Sequence, residues 1–486
     1  MDSVLKKKTI IGTFWSAIDR FSVQGINFIL SLIIARLLEP SDYGIIAMIS
    51  LFLTLSNTFV DSGFANALIR KNDRTETDNS TVFYFNIVIG IIVYAIVWML
   101  APYIANFYNM PLLDKVMKVT ALTIPFYSLS IVQQAILTIN IDFKSQAKIS
   151  VISAFLSGVI GVILAYNEAG VWSLSIQMIS AAFFRMLLLW WYIKWLPTKS
   201  FSKRSFEELF SFGSKLLLAN IVVTVGNNIT TLIIGKKFAQ KQLGFYNRAE
   251  QIGYFPATNL TAILQRVTFP VFSQMQDSPI TLRNSYLKTI QVTSLLTFFI
   301  MGSLFILAEP LIIALLTSKW SSSIKLLQIL ITSIMWWPFF ALNVNILQVV
   351  GQSKQVLIIE CIKASINIFA IFMASLISIE AVCITLSLTA FLNSFIYAHF
   401  TKKSINVSWG GQIKIMLPHI LSAIVAGTIS FIAYNYITNM WLKIMLGGCL
   451  YTLLYVGIAY VIDKSSFMTI YLSLIHISEP TRHSLI

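Results

Sequence analysis

The side chains that could do chemistry in this sequence are polar residues that recur at steps of three and four within long apolar segments. Because an α-helix has about 3.6 residues per turn, this spacing places them on one helix face. The first segment carries Thr13, Ser16, Arg20, Gln24, Asn27 and Ser31. Three later segments carry Ser50, Thr54, Asn57 and Asp61, then Asn220, Thr224, Asn227 and Thr231, and finally Glu250, Thr258 and Thr261. We therefore predict four helices that share a hydrated face.

The charges on these faces indicate the kind of ligand. An ionised residue near the centre of a membrane helix costs about 3 kcal/mol or more unless it meets water or a partner, so Arg20 and Asp61 predict a water-filled cavity. Arginine can hydrogen-bond two phosphate oxygens at once, which suits an anionic substrate such as a diphosphate. The predicted substrate-binding residues are Arg20, Gln24, Asn27, Asn57, Asn227, Lys215, Arg248 and Arg266.

Two alternatives remain open for these residues. Hydroxyl and amide groups also hydrogen-bond neighbouring membrane helices, which contributes about 0.6–2 kcal/mol per bond. Lys215 and Arg266 lie close enough to predicted helix ends to extend into lipid headgroups instead.

Two acids are candidates for ion coupling. Asp61 is a lone acid on the second polar face, where protonation would remove its desolvation cost. Asp19 is adjacent to Arg20, and adjacent helical residues point about 100° apart, so the two do not pair face to face on one helix. One of them can face the cavity while the other meets a neighbouring helix.

The elements that position these residues are membrane helices, because 57% of the 486 residues are apolar and only 11% are charged. Apolar stretches of about 20 residues, enough to cross the hydrocarbon core, recur almost without interruption. We predict an all-α polytopic membrane protein with about fourteen transmembrane helices. Their ranges are 10–37, 44–68, 80–104, 116–138, 147–167, 171–194, 209–234, 244–269, 288–309, 323–349, 356–377, 380–400, 414–437 and 440–462.

Lysine and arginine residues fix the predicted orientation. They concentrate at the N-terminus and in alternate loops, which the positive-inside rule assigns to the cytoplasm, so both termini are predicted to be cytoplasmic. The formal charge of +15 therefore reports topology, and no nucleic-acid partner is expected. Lys236, Lys237 and Lys241 break the rule on the outer side, either as a tolerated exception or as a functional cluster.

An internal repeat appears when the sequence is shifted by 200 positions. The pairs that match between positions 27–44 and 227–244 are Asn27 with Asn227, Ile29 with Ile229, Leu32, Ile33 and Ile34 with Leu232, Ile233 and Ile234, and Gly44 with Gly244. Six helices separate the copies, which predicts two lobes related by an axis along the membrane normal. We predict an N-lobe of helices 1–6 in 1–200, a C-lobe of helices 7–12 in 201–404, helices 13–14 in 405–464 and a tail in 465–486.

Other sites and segments carry no predicted function. The sequence has no Ser, His and Asp arrangement in plausible loops, no glycine-rich phosphate loop and no His or Cys cluster with ligand spacing, so no catalytic residue, cofactor or metal is predicted. Arg185 is a further intramembrane charge, and Glu360 with Lys363 is expected to form a local ion pair. His399 and His419 are expected at the interface. The tail from Ser473 resembles translated sequencing-adapter contamination, with a genuine disordered tail as the alternative.

Several segments resemble the polysaccharide-transport or O-antigen flippase (Wzx-type) family of the multidrug/oligosaccharidyl-lipid/polysaccharide exporter superfamily. These segments are ARLLEPSDYG, DSGFANALIRK, STVFYFN, QLGFYNRAEQIGYFP and FPVFSQMQD. The resemblance implies a fourteen-helix, two-lobed, V-shaped transporter with a cavity formed mainly by helices 1, 2, 7 and 8. It implies transport of a polyprenyl-diphosphate-linked oligosaccharide from the cytoplasmic to the periplasmic leaflet of a bacterial inner membrane, for O-antigen, capsule or exopolysaccharide assembly.

The predicted function is therefore flipping by alternating access, without enzymatic chemistry. The expected partners are the lipid-linked oligosaccharide, membrane lipids and polysaccharide polymerase machinery. A cation-coupled multidrug antiporter is the closest alternative, supported by Asp61 and Asp19. A membrane glycosyltransferase or polymerase is disfavoured because such enzymes usually need a sizeable loop or domain, and every predicted loop is short.

Overall fold

The structure is a computed structural model that describes Trp15, residues 22–71 and residues 73–464. The regular elements of the described residues are α-helices and one short 3-10 turn, Ser318–Trp320. Each segment predicted from hydropathy corresponds to one helix or to a run of short helices in these residues. The predicted all-α polytopic class is confirmed, and the chain is a multi-pass membrane protein.

The chain divides into two compact units, of which the first is Met1–Gly244. Its helices are α1 (Ser22–Leu37), α2 (Pro40–Asp61), α3 (Phe64–Arg70), α4 (Glu76–Phe107), α5 (Pro111–Thr120), α6 (Thr123–Ser128), α7 (Ile131–Ile139), α8 (Phe143–Tyr166), α9 (Val171–Ile193), α10 (Lys203–Lys237) and the first turn of α11 (Gln240–Gln274).

The second unit is Phe245–Ile486. It contains the rest of α11 and then α12 (Pro279–Ile306), α13 (Ala308–Leu316), α14 (Ser322–Ile334), α15 (Trp337–Val349), α16 (Ser353–Ala374), α17 (Ile379–Ile405), α18 (Trp409–Tyr434) and α19 (Met440–Ile462). The predicted boundaries of the symmetry-related lobes remain a prediction.

The number of membrane spans follows from helix length and hydropathy. Within the described residues, 11 helices qualify as spans, and 12 do so if the bent pair Pro111–Ser128 and Ile131–Ile139 is one span. Two further predicted spans are not among these. The described part of α1, Ser22–Leu37, is shorter than a span, and α11 is not apolar and uncharged enough over its length to be counted as one. The count of fourteen therefore remains a prediction.

A cluster of aromatic residues joins α3, α4 and α10 in the first unit. The Phe64 ring centroid lies 4.9 Å from that of Phe85, and the rings of Phe206 and Phe210 stack at 5.3 Å. Offset and edge-on ring pairs add about 0.5–1.5 kcal/mol beyond their buried area. The cluster therefore holds the first turns of α10 against α3 and α4.

Three tyrosines fasten α18 and α19 to α12 in the second unit. The Tyr434 hydroxyl donates to the Ile306 carbonyl at 2.6 Å, Tyr451 to Phe298 at 3.1 Å and Tyr455 to Leu295 at 2.8 Å. Because no water is available within the lipid, a buried hydroxyl needs a hydrogen-bond partner in the protein. These three bonds provide one for each tyrosine. The two helices predicted to stand outside the repeat are packed onto the second unit by these bonds.

Candidate functional site

The polar face of α2 contains two kinds of group with different hydrogen bonding. The hydroxyls of Ser50, Thr54 and Thr58 donate to carbonyl oxygens of the preceding turn, at 2.8, 2.8 and 2.9 Å. Such bonds satisfy a hydroxyl within its own helix. These hydroxyls therefore do not need a ligand or a neighbouring helix.

The amide side chains on the polar faces of α1 and α2 differ from these hydroxyls. The buried oxygens Oε1 of Gln24 and Oδ1 of Asn57 have no hydrogen-bond partner among the described residues, and Asn27 on α1 is exposed. A buried amide oxygen without a partner costs about 1–3 kcal/mol, so such atoms mark places where water or a ligand binds. Gln24, Asn27 and Asn57 are thus available to a polar substrate.

The third polar face lies on α10, which packs along α2. Asn227 is exposed and Thr231 is buried, while Asn228 Nδ2 donates to the Thr224 carbonyl at 2.8 Å. The structure therefore keeps Asn227 accessible on the helix that contacts α2. This residue is the repeat counterpart of Asn27, which is also exposed.

The starts of α2 and α11 approach each other through two reciprocal glycine contacts. A Cβ added to Gly44 would lie 2.0 Å from the Gln240 carbonyl oxygen, and one added to Gly244 would lie 1.8 Å from that of Pro40. Real Cβ atoms essentially never come that close to another heavy atom. The contact therefore requires glycine at both positions, and its two halves are related by the sequence shift of 200 positions.

A second close approach joins the break between α2 and α3 to α10. A Cβ on Gly63 would lie 2.6 Å from the Gly213 carbonyl oxygen, and Gly63 has a positive φ of 73°. Lys71 forms ion pairs with Asp78 at 3.2 Å and with Glu208 at 3.0 Å. Although burial alone lowers the pKa of Lys71, its hydrogen bonds to Glu208 and Asp78 raise that pKa overall. The Gly63 contact and the ion pairs of Lys71, together called the clasp below, hold this end of α10 in place.

Asp61 is the last residue of α2, and its half-buried carboxylate lies at the start of α3. Its Oδ1 accepts a long hydrogen bond of 3.4 Å from the Ala65 amide. Asp61 therefore contacts one backbone amide at the start of α3, whose N-cap is Gly63. A role in holding the junction of α2 and α3 competes with the predicted role in ion coupling, which remains a prediction.

The predicted cationic residues of α11 differ in exposure. Arg248 is only 1% exposed, donates from Nη1 to Gln251 Oε1 at 2.9 Å and lies 5.3 Å from the centre of the Trp320 ring. Arg266 is exposed. A substrate could reach Arg266 directly, whereas contact with Arg248 would require the surrounding side chains to move.

Two predicted site residues, Arg20 and Asp19, lie outside the described residues. Lys215 belongs to α10, but its side chain lies outside what the structure describes.

Lys236, in the predicted outer cluster, is engaged at the end of α4. Its ammonium donates to the Phe107 carbonyl and lies 4.4 Å from the centre of the Phe107 ring. Lys236 therefore joins the ends of α10 and α4. A Cβ on the neighbouring Gly235 would lie 3.0 Å from the Tyr108 ring, so these two helix ends are close-packed.

Two further charged contacts lie in the second unit. The predicted ion pair of Glu360 and Lys363 is confirmed at 2.5 Å, and Tyr397 of α17 also hydrogen-bonds both partners. His419, expected at the interface, is fully buried, and its Nε2 lies 3.2 Å from Oδ2 of Asp463, the residue that follows the end of α19, while its depth in the membrane stays a prediction. Only the packing of α18 against α19 brings His419 to that carboxylate.

Comparison with known proteins identifies the family. A sequence profile described as "Polysaccharide biosynthesis protein" matches residues 33–325. The chain belongs to this polysaccharide biosynthesis protein family. The predicted resemblance is thereby confirmed, and it now covers the segments that carry α2, α4, α9, α10 and α11.

The chain is also similar to proteins of several bacteria. The lipopolysaccharide biosynthesis protein WzxC of Escherichia coli is 26% identical over 334 residues, which cover 67% of each chain. The succinoglycan biosynthesis transport protein ExoT of Rhizobium meliloti is 26% identical over 320 residues, covering 66% of this chain and 65% of ExoT. The chain therefore spans about two thirds of the length of these relatives.

The fold of this family member is similar to a solved flippase structure. The lipid II flippase MurJ, in an inward closed conformation, matches with a TM-score of 0.73 and 14% identity, covering 93% of this chain and 99% of MurJ. At this identity the similarity shows a shared fold.

Proposed function

We propose that this chain flips a polyprenyl-diphosphate-linked oligosaccharide from the cytoplasmic to the periplasmic leaflet of a bacterial inner membrane. The transport serves surface polysaccharide assembly, and both termini lie in the cytoplasm. The observation that carries the proposal is the set of accessible or unpartnered amides on the apolar helices α1, α2 and α10 of a chain that belongs to a polysaccharide biosynthesis family. The printed names of the relatives, one a transport protein, support the same function.

The chemistry of the amides suits the glycan. A sugar offers hydroxyls that both donate and accept, and an Asn or Gln amide can do the same through its oxygen and nitrogen. Gln24, Asn27, Asn57 and Asn227 would therefore bind sugar hydroxyls, while Arg20, Lys215, Arg248 and Arg266 would supply the charge for the diphosphate. The polyprenyl chain would remain in the surrounding lipid, so no large apolar cavity is needed.

The mechanism would be alternating access between the predicted lobes of 1–200 and 201–404. The glycine contacts at Gly44 and Gly244 and the clasp at Gly63 and Lys71 lie at opposite ends of α10. Opening one end at a time would expose the polar faces to one side of the membrane. No covalent bond changes, so the chain acts as a transporter, and a polymerase on the periplasmic side would use its product.

The experiment is a flipping assay with the purified protein in vesicles. A fluorescent oligosaccharide linked to polyprenyl diphosphate is incorporated, and its transfer between leaflets is followed by quenching with a membrane-impermeant reductant. We expect Asn57→Ala to slow transfer at least tenfold, because it removes an amide that has no other described partner. Thr58→Val is the matched control, since the Thr58 hydroxyl is bonded to its own helix, and its transfer rate should stay at the wild-type level.

A cation-coupled antiporter is the second candidate, and the half-buried carboxylate of Asp61 favours it. The same vesicles distinguish the two functions. In one outcome, the vesicles accumulate a cationic dye when a proton or sodium gradient is applied and yet fail to transfer the glycolipid. That result would show antiport and would overturn the proposal of flipping.

A further inference from the structure

The fourth membrane span is interrupted twice, and the second interruption lies beside a charged residue that the proposed function does not use. Turns separate α5 from α6 and α6 from α7, and the chain bends by 41° at the second turn. Interrupted helices leave backbone groups that need partners, and in transporters such breaks commonly border binding sites.

Within the part of the chain that the structure describes, the first interruption has a counterpart later in the sequence and the second has none. The sequence PFYSL at 125–129 follows it, and PFFAL at 338–342 follows the break between α14 and α15. After PFFAL, α15 continues without a break to Val349, whereas after PFYSL the chain turns again before α7. The second interruption is therefore specific to the first unit and is not a general requirement of the repeat.

Two side chains of α9 bridge this second interruption. Trp190 Nε1 donates to the freed carbonyl of Leu129 at 2.9 Å, and Arg185 Nη2 donates to Gln134 Oε1 of α7 at 3.2 Å. The Trp190 bond satisfies the backbone, so the break is stable without Arg185. The bond to Gln134 instead holds the guanidinium beside the first turn of α7, directly after the break.

Arg185 is exposed although it lies within a membrane span. It precedes the end of α9 at Ile193 by eight residues, or about 12 Å along the helix axis. In the predicted orientation, this places it in the cytoplasmic half of the membrane. An exposed guanidinium at that depth is costly unless it faces water or an anion.

The surroundings of Arg185 connect it to the polar face of α2. Tyr127 of α6 is also exposed, and α6 packs against both α9 and α2, the helix that ends at Asp61. Among the described residues, Arg185 forms no ion pair, and its bond to Gln134 uses one of its several N–H donors. Most of these donors are therefore available to a ligand.

We propose that Arg185, oriented by Gln134 beside the break, is a further anion-binding residue that contacts the substrate diphosphate on its entry from the cytoplasmic side. This inference rests on the proposed function and adds a residue from α9 to the site. Gln134 acts as a positioning residue, since it holds the guanidinium without needing to touch the substrate.

The test is a binding measurement on the full-length protein in detergent micelles, which does not depend on transport. The probes are geranylgeranyl diphosphate and geranylgeraniol, which share an isoprenoid chain and differ in the diphosphate. We expect Arg185→Gln to weaken binding of the diphosphate about tenfold and to leave binding of the alcohol unchanged. Arg185→Lys should recover part of the loss, because it keeps the charge and loses the fork geometry.

Two controls separate binding from structure. Lys194→Gln removes a positive charge just beyond the end of the same helix, and it should bind both probes like the wild type. Gln134→Leu should weaken diphosphate binding about threefold alone and add little to Arg185→Gln, as expected for two residues that act together. Thermal unfolding of each variant confirms that it is folded.

The outcomes distinguish this inference from the proposed function. If the wild type prefers the diphosphate and folded Arg185→Gln keeps that preference, the Arg185 inference is overturned while flipping stands. If the wild type binds the two probes equally, the proposed diphosphate substrate fails as well. An equal loss of both probes in Arg185→Gln would assign Arg185 to helix packing and also overturn the inference.

Discussion

Replacing Gly44 and Gly244 together by alanine would open the reciprocal contact between the starts of α2 and α11. The added Cβ atoms would lie 2.0 and 1.8 Å from carbonyl oxygens. Since a close carbon–oxygen contact needs about 3.3 Å, the two loops must separate by about 1.3–1.5 Å. The obstructing atoms belong to the backbone, so no side chain can rotate out of the way.

The energetic consequence follows from this displacement. Overpacking a tight contact costs about 1–3 kcal/mol, and a penalty of about 2 kcal/mol changes the ratio of closed to open molecules about thirtyfold. We therefore expect the double variant to populate a form open at this end, which is periplasmic in the predicted orientation. Flipping should slow at least tenfold, because each cycle must close this contact again.

The assay measures access from the periplasmic side to a reporter cysteine. Met48→Cys is introduced after Cys361, Cys383 and Cys449 are replaced by serine. Met48 is 2% exposed and lies one turn beyond Gly44, so an impermeant maleimide should label the reporter slowly in the closed form and rapidly in the glycine double variant.

Two other glycines provide the matched control. A Cβ added to Gly25 or Gly226 meets nothing within 4 Å, although both lie on helices with polar faces. Gly25→Ala with Gly226→Ala should therefore leave labelling and flipping unchanged, with a gain in helix stability of about 1 kcal/mol per site at most. Wild-type labelling and transport in a folded Gly44→Ala, Gly244→Ala protein would refute the reasoning that this contact must open and close.

Three further predictions use the same flipping assay. Arg20→Ala should abolish flipping without loss of protein, while Arg20→Lys should retain part of it, and normal transport by the alanine variant would remove Arg20 from the site. Asp61→Asn should abolish the response of transport to a collapsed proton or sodium gradient if Asp61 couples an ion, whereas an unchanged response and rate would leave it with its bond to the Ala65 amide at the junction of α2 and α3. Neutralising Lys237 and Lys241 by Gln should slow export several-fold, and higher ionic strength should mimic this because exposed charges are screened. Adding Lys236→Gln should also lower the melting temperature by a few degrees, since Lys236 contacts Phe107, and an unchanged melting temperature would show that this contact is not stabilising.

The sequence by itself determined the elements and the polar faces. Apolar runs of about 20 residues leave the chain no alternative to membrane helices, because backbone groups in lipid must be paired within the helix. Steps of three and four placed Gln24 with Asn27, and Asn57 with Asp61, on common faces, since helical periodicity is a local property. The shift of 200 positions likewise identified Gly44 and Gly244 as equivalent without showing why both are glycine.

Only the tertiary structure decided what these groups meet. Hydropathy treats residues 116–138 as one span, but packing divides them into α5, α6 and α7 and brings Gln134 to Arg185 of α9. Sequence spacing also placed Thr54 and Asn57 on one polar face, whereas the structure bonds the Thr54 hydroxyl to its own helix and leaves the Asn57 oxygen without a described partner. The physical reason is that local periodicity fixes the direction of a side chain, while hydrogen bonds and close contacts depend on residues far away in the chain.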